Sequence, residues 1–399
     1  EIDVCTLNSN RSTQGAGLMG KLAKLKKKNK VRSYVAGLFD ADERLTKLTV
    51  LGDPLVELNK MIDWEAFRGD IDNAREKARE HARKSAAGAK PIDAVLMFKA
   101  LVLQQLNNLS DDRIEYQIRD RLSFMRFLGL KLEDRVPDAK TIWLFRETLK
   151  QQGVGEGLFK RFDEQLAARG LIAKGGQMID ATFVEVPKSR NSREDNAKLK
   201  AGEIPQDWQK EDPATVNMRR QKDTDARWTK KNQETHFGYK NHINADAKNK
   251  LIRAYAVTAA SVHDSQVFDE LLDHTTDDEG KKRAAYADSA YRSKEQEERL
   301  QANEIESQVC EKGTRGKPLT EEQKASNRQK SKTRVRVEHV FGAQAQMGGH
   351  VVRTIGMARA RVKIAIMNLA YNMRRFVLLC RGEIQVWNGS DGRGASAVA

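Results

Sequence analysis

Cysteine is scarce in this 399-residue chain: Cys5, Cys310 and Cys380 lie far apart and match no zinc-binding spacing. That scarcity excludes a disulfide-stapled scaffold and fits thiols that stay reduced inside a cell. No apolar stretch reaches the roughly 18 residues that a membrane span needs. The first residues also lack the charged-then-apolar order of a secretory leader. A protein of the cytoplasm, with no membrane partner, is expected.

What is abundant is positive charge. Lys and Arg number 71 against 56 Asp and Glu, a net +15, which points to a polyanionic partner, nucleic acid before a membrane surface. The length allows two or three domains, so size does not exclude an enzyme. Residues 1–37 combine Ser, Asn, Gly and Thr with the basic run KLAKLKKKNKVR, which has no matching apolar face. They read as a flexible arm, within which Met19 is a candidate for the natural start.

Residues 38–153 read as a helical domain. DPLVELNKMIDWEAF, PIDAVLMFKALVLQQLNN, SDDRIEYQIRDRLSFMRFLG and PDAKTIWLFRETLKQQG all carry apolar residues three and four apart. Ser110, Asp111, Asp112 and Asp138 supply helix-start chemistry, and Gly129 and Gly153 follow helix ends. The last pair of helices is compatible with a helix-turn-helix that sets Lys140, Thr141 and Arg146 in a DNA groove. An ordinary bundle used for dimerisation explains the same pattern.

From 154 to 382 the texture changes. Strands are expected at 177–186, 235–247, 251–260, 284–289 and 306–311, and helices at 264–274, 293–303, 320–347 and 358–381. Three strands in meander followed by alternating helix and strand give an α/β fold, a mixed five-stranded sheet with helices on its faces. Residues 187–234 interrupt it with a polar stretch that has little to bury and reads as a loop or arm. Trp208 and Trp228 lie inside that stretch; aromatics in a basic loop stack on unpaired bases or pack the loop down, the second being favoured for Trp228. Residues 383–399 read as a tail.

Two acidic positions resist a purely structural reading. MIDATFVEV, residues 178–186, sets Asp180 in a stretch built for a buried strand, where an unpaired carboxylate is costly. AAYADSAY, residues 284–291, ends a short apolar strand in Asp288, which either reaches into a cleft or caps the helix near Ser293, although Ser293 is the closer cap. In RVRVEHVFG, residues 334–342, Arg334 and Glu338 are four apart and on a helix form a surface pair of small worth. If Asp180, Asp288 and Glu338 converge, their repulsion calls for divalent cations. Magnesium favours such oxygen ligands and leaves room for phosphate oxygens. Two ions about 4 Å apart hold the attacking and leaving oxygens of an in-line phosphoryl displacement.

These ordered motifs, with LFDADERLTKL, HFGYKNHINAD and VTAASVHDSQVFDELL, resemble a bacterial insertion-sequence transposase of the IS5 family over roughly residues 38–380. The resemblance implies a DDE catalytic domain of RNase H-like fold behind an all-α N-terminal domain. It makes Asp180, Asp288 and Glu338 the catalytic and metal-binding triad, with two magnesium ions per site and manganese as a substitute. It also implies binding to terminal inverted repeats and target DNA, metal-dependent cleavage, 3′-hydroxyl strand transfer, and a homodimer or higher oligomer on the bacterial nucleoid. Lys240, Arg334, Arg336 and Arg353 join Lys140, Thr141 and Arg146 as candidate DNA contacts.

The family's Tyr, Arg, Glu, Lys signature is incomplete here, with Ser331 in the tyrosine place and Ala345 in the lysine place. His263 and Asp264 resemble a family pair; a helix cap at Asp264 is the preferred reading, with support of the metals behind it. His339 reads as structural. Two rival functions remain: a structure-selective nuclease or resolvase of the same fold, and a catalytically inactive, transposase-derived DNA-binding protein.

Overall fold

The computed structural model describes residues 39–82, 90–173, 175–188, 191–231, 233–274, 284–313, 316 and 318–381. The expected arm at 1–37, the tail at 383–399 and Cys5 lie outside them. The chain divides into two compact units, Glu1–Leu51 and Gly52–Ala399. In the first, the described part is one helix, α1 (Asp40–Val50), with Asp40, Asp42 and Glu43 in its first turn and Lys47 in its last. That order suits the helix dipole, and none of its residues is buried.

The described residues of the second unit begin with the helices α2 (Pro54–Met61), α3 (Arg68–Ala82), α4 (Ala94–Leu106), α5 (Asp111–Asp120), α6 (Leu122–Leu128), α7 (Ala139–Gln151) and α8 (Gly155–Ala168). Asp53, Asp93, Ser110 and Asp138 each accept a backbone N–H at a helix start, as the sequence suggested for the last two. Gly129 closes α6 in the left-handed region at φ 76°. α4 is apolar nearly all round and is correspondingly buried. Trp64, Phe67, Phe98 and Phe127 pack around it, ring centroids 4.9–6.4 Å apart.

The sheet contains β1 (Gln177–Glu185), β2 (Arg227–Lys231), β3 (Glu234–Asp246), β4 (Ile252–Ala259), β5 (Ala285–Ala287) and β6 (Ser307–Val309). Its order is β2-β3-β1-β5-β6, with β4 also paired to β3. β3 runs antiparallel to β1, β2 and β4, whereas β5 is parallel to both β1 and β6. The five expected strands are present, and β2 makes a sixth. Between and after them lie α9 (Arg193–Lys200), α10 (Pro213–Arg220), α11 (Phe268–Leu271), α12 (Lys294–Ala302), α13 (Glu321–Arg334), α14 (Glu338–Gln346) and α15 (Met357–Cys380). The single helix expected over 320–347 is broken by a 3-10 turn at Val335–Val337, where two β-branched residues weaken helical preference.

α15 packs against α4, α7 and α8 and also against β3 and β4. One hydrophobic core therefore joins Phe98 and Phe127 of the helical region to Ile243, Ile252, Ile366 and Phe376. The polar stretch 187–234 is more ordered than its composition suggests. Asp223 accepts the Tyr239 hydroxyl at 2.8 Å and the Gly356 N–H at 2.9 Å, and Asp225 accepts the Met357 N–H at 2.8 Å. Its tryptophans reverse the expectation: Trp208 is the buried one, 5% exposed, while Trp228 is 38% exposed and leans on Phe237. Both described cysteines, Cys310 and Cys380, are free thiols. Among the described residues no helix is long and apolar enough to cross a membrane.

Candidate active site

Asp180 sits in the middle of β1, opposite Ile243 on β3. Its neighbours Met178 and Ile179 are fully buried, which fixes the strand and leaves Asp180 and Thr182 two apart on one side. On the other flank, Gln177 pairs with Ala285 and Met178 with Tyr286. Continuing that register brings Asp180 level with Asp288, one residue beyond β5. There Asp288 accepts the Ala290 N–H at 2.7 Å and caps the 3-10 turn Ser289–Tyr291. Ser293 separately caps α12, so Asp288 is not needed for that helix. Glu338 opens α14 just after the 3-10 turn, anchored by the buried Val337, Val340 and Phe341.

Asp180, Asp288 and Glu338 line one cavity of about 350 Å³, with Thr182, Lys231, Arg334, Gly342 and His350 around it. Asp180 is 8% exposed. Burial above all pushes its carboxyl up to about 6, and the charges of Asp288 and Glu338 push the same way. The Ala181 N–H, at 2.8 Å, and Arg334, whose Nη1 lies 3.2 Å from Oδ2, work against that shift and are outweighed. Arg334 thus pairs with Asp180 rather than with Glu338, as the helical spacing had suggested. Its Nε is buried without a hydrogen-bond partner, so the guanidinium holds Asp180 through part of its donor set.

The Tyr291 hydroxyl, also buried without a partner, is pushed up by burial and by the charges of Asp180, Asp264 and Asp288. The three carboxylates differ in exposure: Asp180 is buried, Asp288 half-buried and Glu338 exposed. Oxygen donors of this kind fit a hard divalent cation. Among the described residues no three His, Cys, Asp or Glu side chains close on a single ion position. A metal ion here would be held by no more than two of these carboxylates, with water or phosphate oxygens completing its shell.

Of the candidate DNA contacts, Lys140 and Arg353 are exposed. Thr141 is half-buried with its N–H on the Asp138 cap, and Arg336 reaches the Lys248 carbonyl at 3.3 Å. Three others are engaged within the protein. Arg146 makes two bonds to Asp111, at 2.7 and 2.8 Å. Lys240 is buried and donates to the Val262 carbonyl and to Asp264, both at 2.7 Å. Arg334 is on Asp180. The sequence shows a charge but not its partner, and for Arg146 and Lys240 the partner is internal.

Asp264 is likewise not the helix cap: His263 occupies that position, and the Asp264 carboxylate holds Lys240. Lys231 and His350 line the cavity without having been singled out. Lys231 ends the unexpected strand β2. The loop of His350 is clipped to β1 by the bonds of Glu185 N–H to His350 O and Val352 N–H to Glu185 O, each 2.8 Å. Nothing local in the sequence marks either Lys231 or His350.

A helical region leading into a mixed sheet flanked by helices, with acidic side chains from β1, the end of β5 and α14 around one cleft, is the architecture of an RNase H-like nucleic-acid enzyme. Residues 173–373 match the family model of the Transposase DDE domain, just over half of the chain. Residues 42–148 match that of the Transposase domain (DUF772). The chain belongs to the DDE transposases: it is a DNA transposase, of a family whose members use divalent metal ions. No solved structure matches it.

Proposed function

We propose that the chain is an insertion-sequence transposase of the IS5 type, acting on bacterial DNA in the cytoplasm, with Asp180, Asp288 and Glu338 as the carboxylates that hold two magnesium ions. The observation that supports this reading is the gathering of the three side chains around one 350 Å³ cavity, in which the Asp180 charge is left under-compensated. When bound, the ions supply Lewis-acid polarisation of the phosphate and a lowered pKa for water. The protein's own part is positional. β1 and β5 set two carboxylates at one level, the Val337 and Phe341 anchors hold the third, and Arg334 balances part of the charge of Asp180 at rest. Lys231 and His350 at the rim face the phosphate backbone.

The reaction is an in-line displacement at phosphorus. The oxygen of water attacks, the bridging oxygen leaves as a 3′-hydroxyl, and that hydroxyl then attacks a phosphodiester of target DNA, so no covalent enzyme intermediate is required. Residues 38–153 serve end recognition and dimerisation, and 154–382 serve catalysis, with Lys140, Arg336 and Arg353 among the phosphate contacts. The test is incubation of the full chain with candidate element ends and magnesium, followed by sequencing of the products. Cut ends joined to target DNA by the wild type, and neither product from Asp180→Asn with end binding retained, are expected. Cutting without joining would make it a nuclease, and cutting by Asp180→Asn would remove the carboxylate from the chemistry.

A further inference from the structure

A second cavity, of about 480 Å³, lies beside the first, and His350 lines both. Its charged and polar lining includes Asp111, Arg146, Arg353, Thr354 and Lys363. Asp111 is committed to Arg146 by the two bonds described above, which neutralises that pair. Among the described residues Lys363 and Arg353 make no hydrogen bond or ion pair, and the Thr354 hydroxyl is buried with no partner. Burial, aided by the nearby Arg146, pushes the Lys363 amine down to about 8, and Asp111 offsets this only in part.

A half-buried cation without a counter-ion and a buried hydroxyl without a partner, lining one cavity, are costly in an isolated protein. An anion in this cavity would offer oxygens to accept from the ammonium and from the hydroxyl. We infer that this cavity binds a phosphodiester of the DNA strand whose neighbouring segment enters the carboxylate cavity, with Lys363 and Arg353 as its cations and Thr354 as a neutral donor. The inference rests on the proposed reading of the carboxylate cavity as the place where DNA reacts. It adds a contact on α15, a helix that also packs on the sheet, so the DNA path is tied to the element joining the two halves of the core.

The experiment measures affinity of the full chain for a fluorescent duplex of arbitrary sequence, without divalent metal, as a function of salt. Lys363→Gln is expected to weaken binding roughly fivefold to tenfold at low salt and to reduce the slope of log affinity against log salt by about one. Lys363→Arg should keep the slope, and Arg353→Gln, at an exposed position, should lose a similar increment. Thr354→Val should weaken binding about threefold with the slope unchanged. Lys294→Gln, which removes one charge from an exposed helix, should change neither.

Wild-type affinity and slope in Lys363→Gln, with an intact thermal transition, would overturn the inference while leaving the catalytic proposal standing. If Lys363→Gln does not fold, an unchanged slope in Arg353→Gln overturns it instead. Sulfate that raises the melting temperature of the wild type but not of Lys363→Gln, with DNA binding unaffected, would make this a small-anion site and overturn the DNA assignment. A wild type with no salt-sensitive DNA binding would sink the inference and the proposed function together.

Discussion

The two cavities that meet at His350 are opposites. One gathers Asp180, Asp288 and Glu338 with too little positive charge. The other holds Lys363 and Arg353, and the carboxylate of Asp111 in its lining is already spent on Arg146. Burial raises an acid in the first and lowers a base in the second. Elsewhere several charges are paired within the protein: Lys240 with Asp264, Arg359 with Glu147, Arg126 with Asp53. The contrast teaches that acid and base are each left under-compensated in adjoining cavities, as expected where ligands complete the electrostatics.

The largest effect should come from the acidic side of this contrast. Asp180→Asn, Asp288→Asn or Glu338→Gln should each lower DNA cleavage on the order of a thousandfold or more, measured as single-turnover cutting. Retained activity in any of the three would break the symmetry of the carboxylate set. A second change should strike both cavities through shared support. At Gly238, φ is 151° and a Cβ would stand 2.3 Å from the Val184 carbonyl oxygen, beside Glu185, which clips the His350 loop. Gly238→Ala should cost about 2–4 kcal/mol in urea unfolding. A cost near zero would mean that the strand crossing is soft.

Removing the uncompensated charges should stabilise the metal-free protein, with opposite pH signatures. The raised carboxyl of Asp180 means that the native state binds more protons than the unfolded chain between 3.8 and about 6. Wild-type stability therefore falls across that window as pH rises. Asp180→Asn should be more stable by about 2 kcal/mol above pH 6, with the advantage vanishing below pH 4. For Lys363 the sign reverses. Its penalty is full below pH 8 and is relieved as pH rises from about 8 towards 10.5. Lys363→Met should gain about 1 kcal/mol at neutral pH, after allowance for solvent screening of a partly exposed group. Parallel urea titrations across pH check both, and a pH-independent gap in either would show that its charge is balanced after all.

The sheet was legible because its strands carry period-two or continuous apolar patterns, and an acid inside such a pattern, as at Asp180, stands out against it. Asp288 was legible for a related reason, since a strand that ends in an acid aims it outward. β2 was hidden because RWTKK is largely exposed and earns its strand by pairing with β3, a tertiary effect that composition does not carry. The internal partners of Arg146 and Lys240 were hidden because a basic residue in sequence looks the same whether its partner is a phosphate or an internal aspartate. His350 owes its place to a backbone clip between distant segments, which no local spacing encodes.

The central claim is that Asp180, Asp288 and Glu338 together form a cation site that serves DNA. Manganese binding to the full chain with duplex DNA present, followed by electron paramagnetic resonance, tests it most directly. The account predicts a pair of bound ions for the wild type and loss of both in Asp180→Asn. Binding unchanged by that substitution, or no bound ion in the wild type, would contradict it.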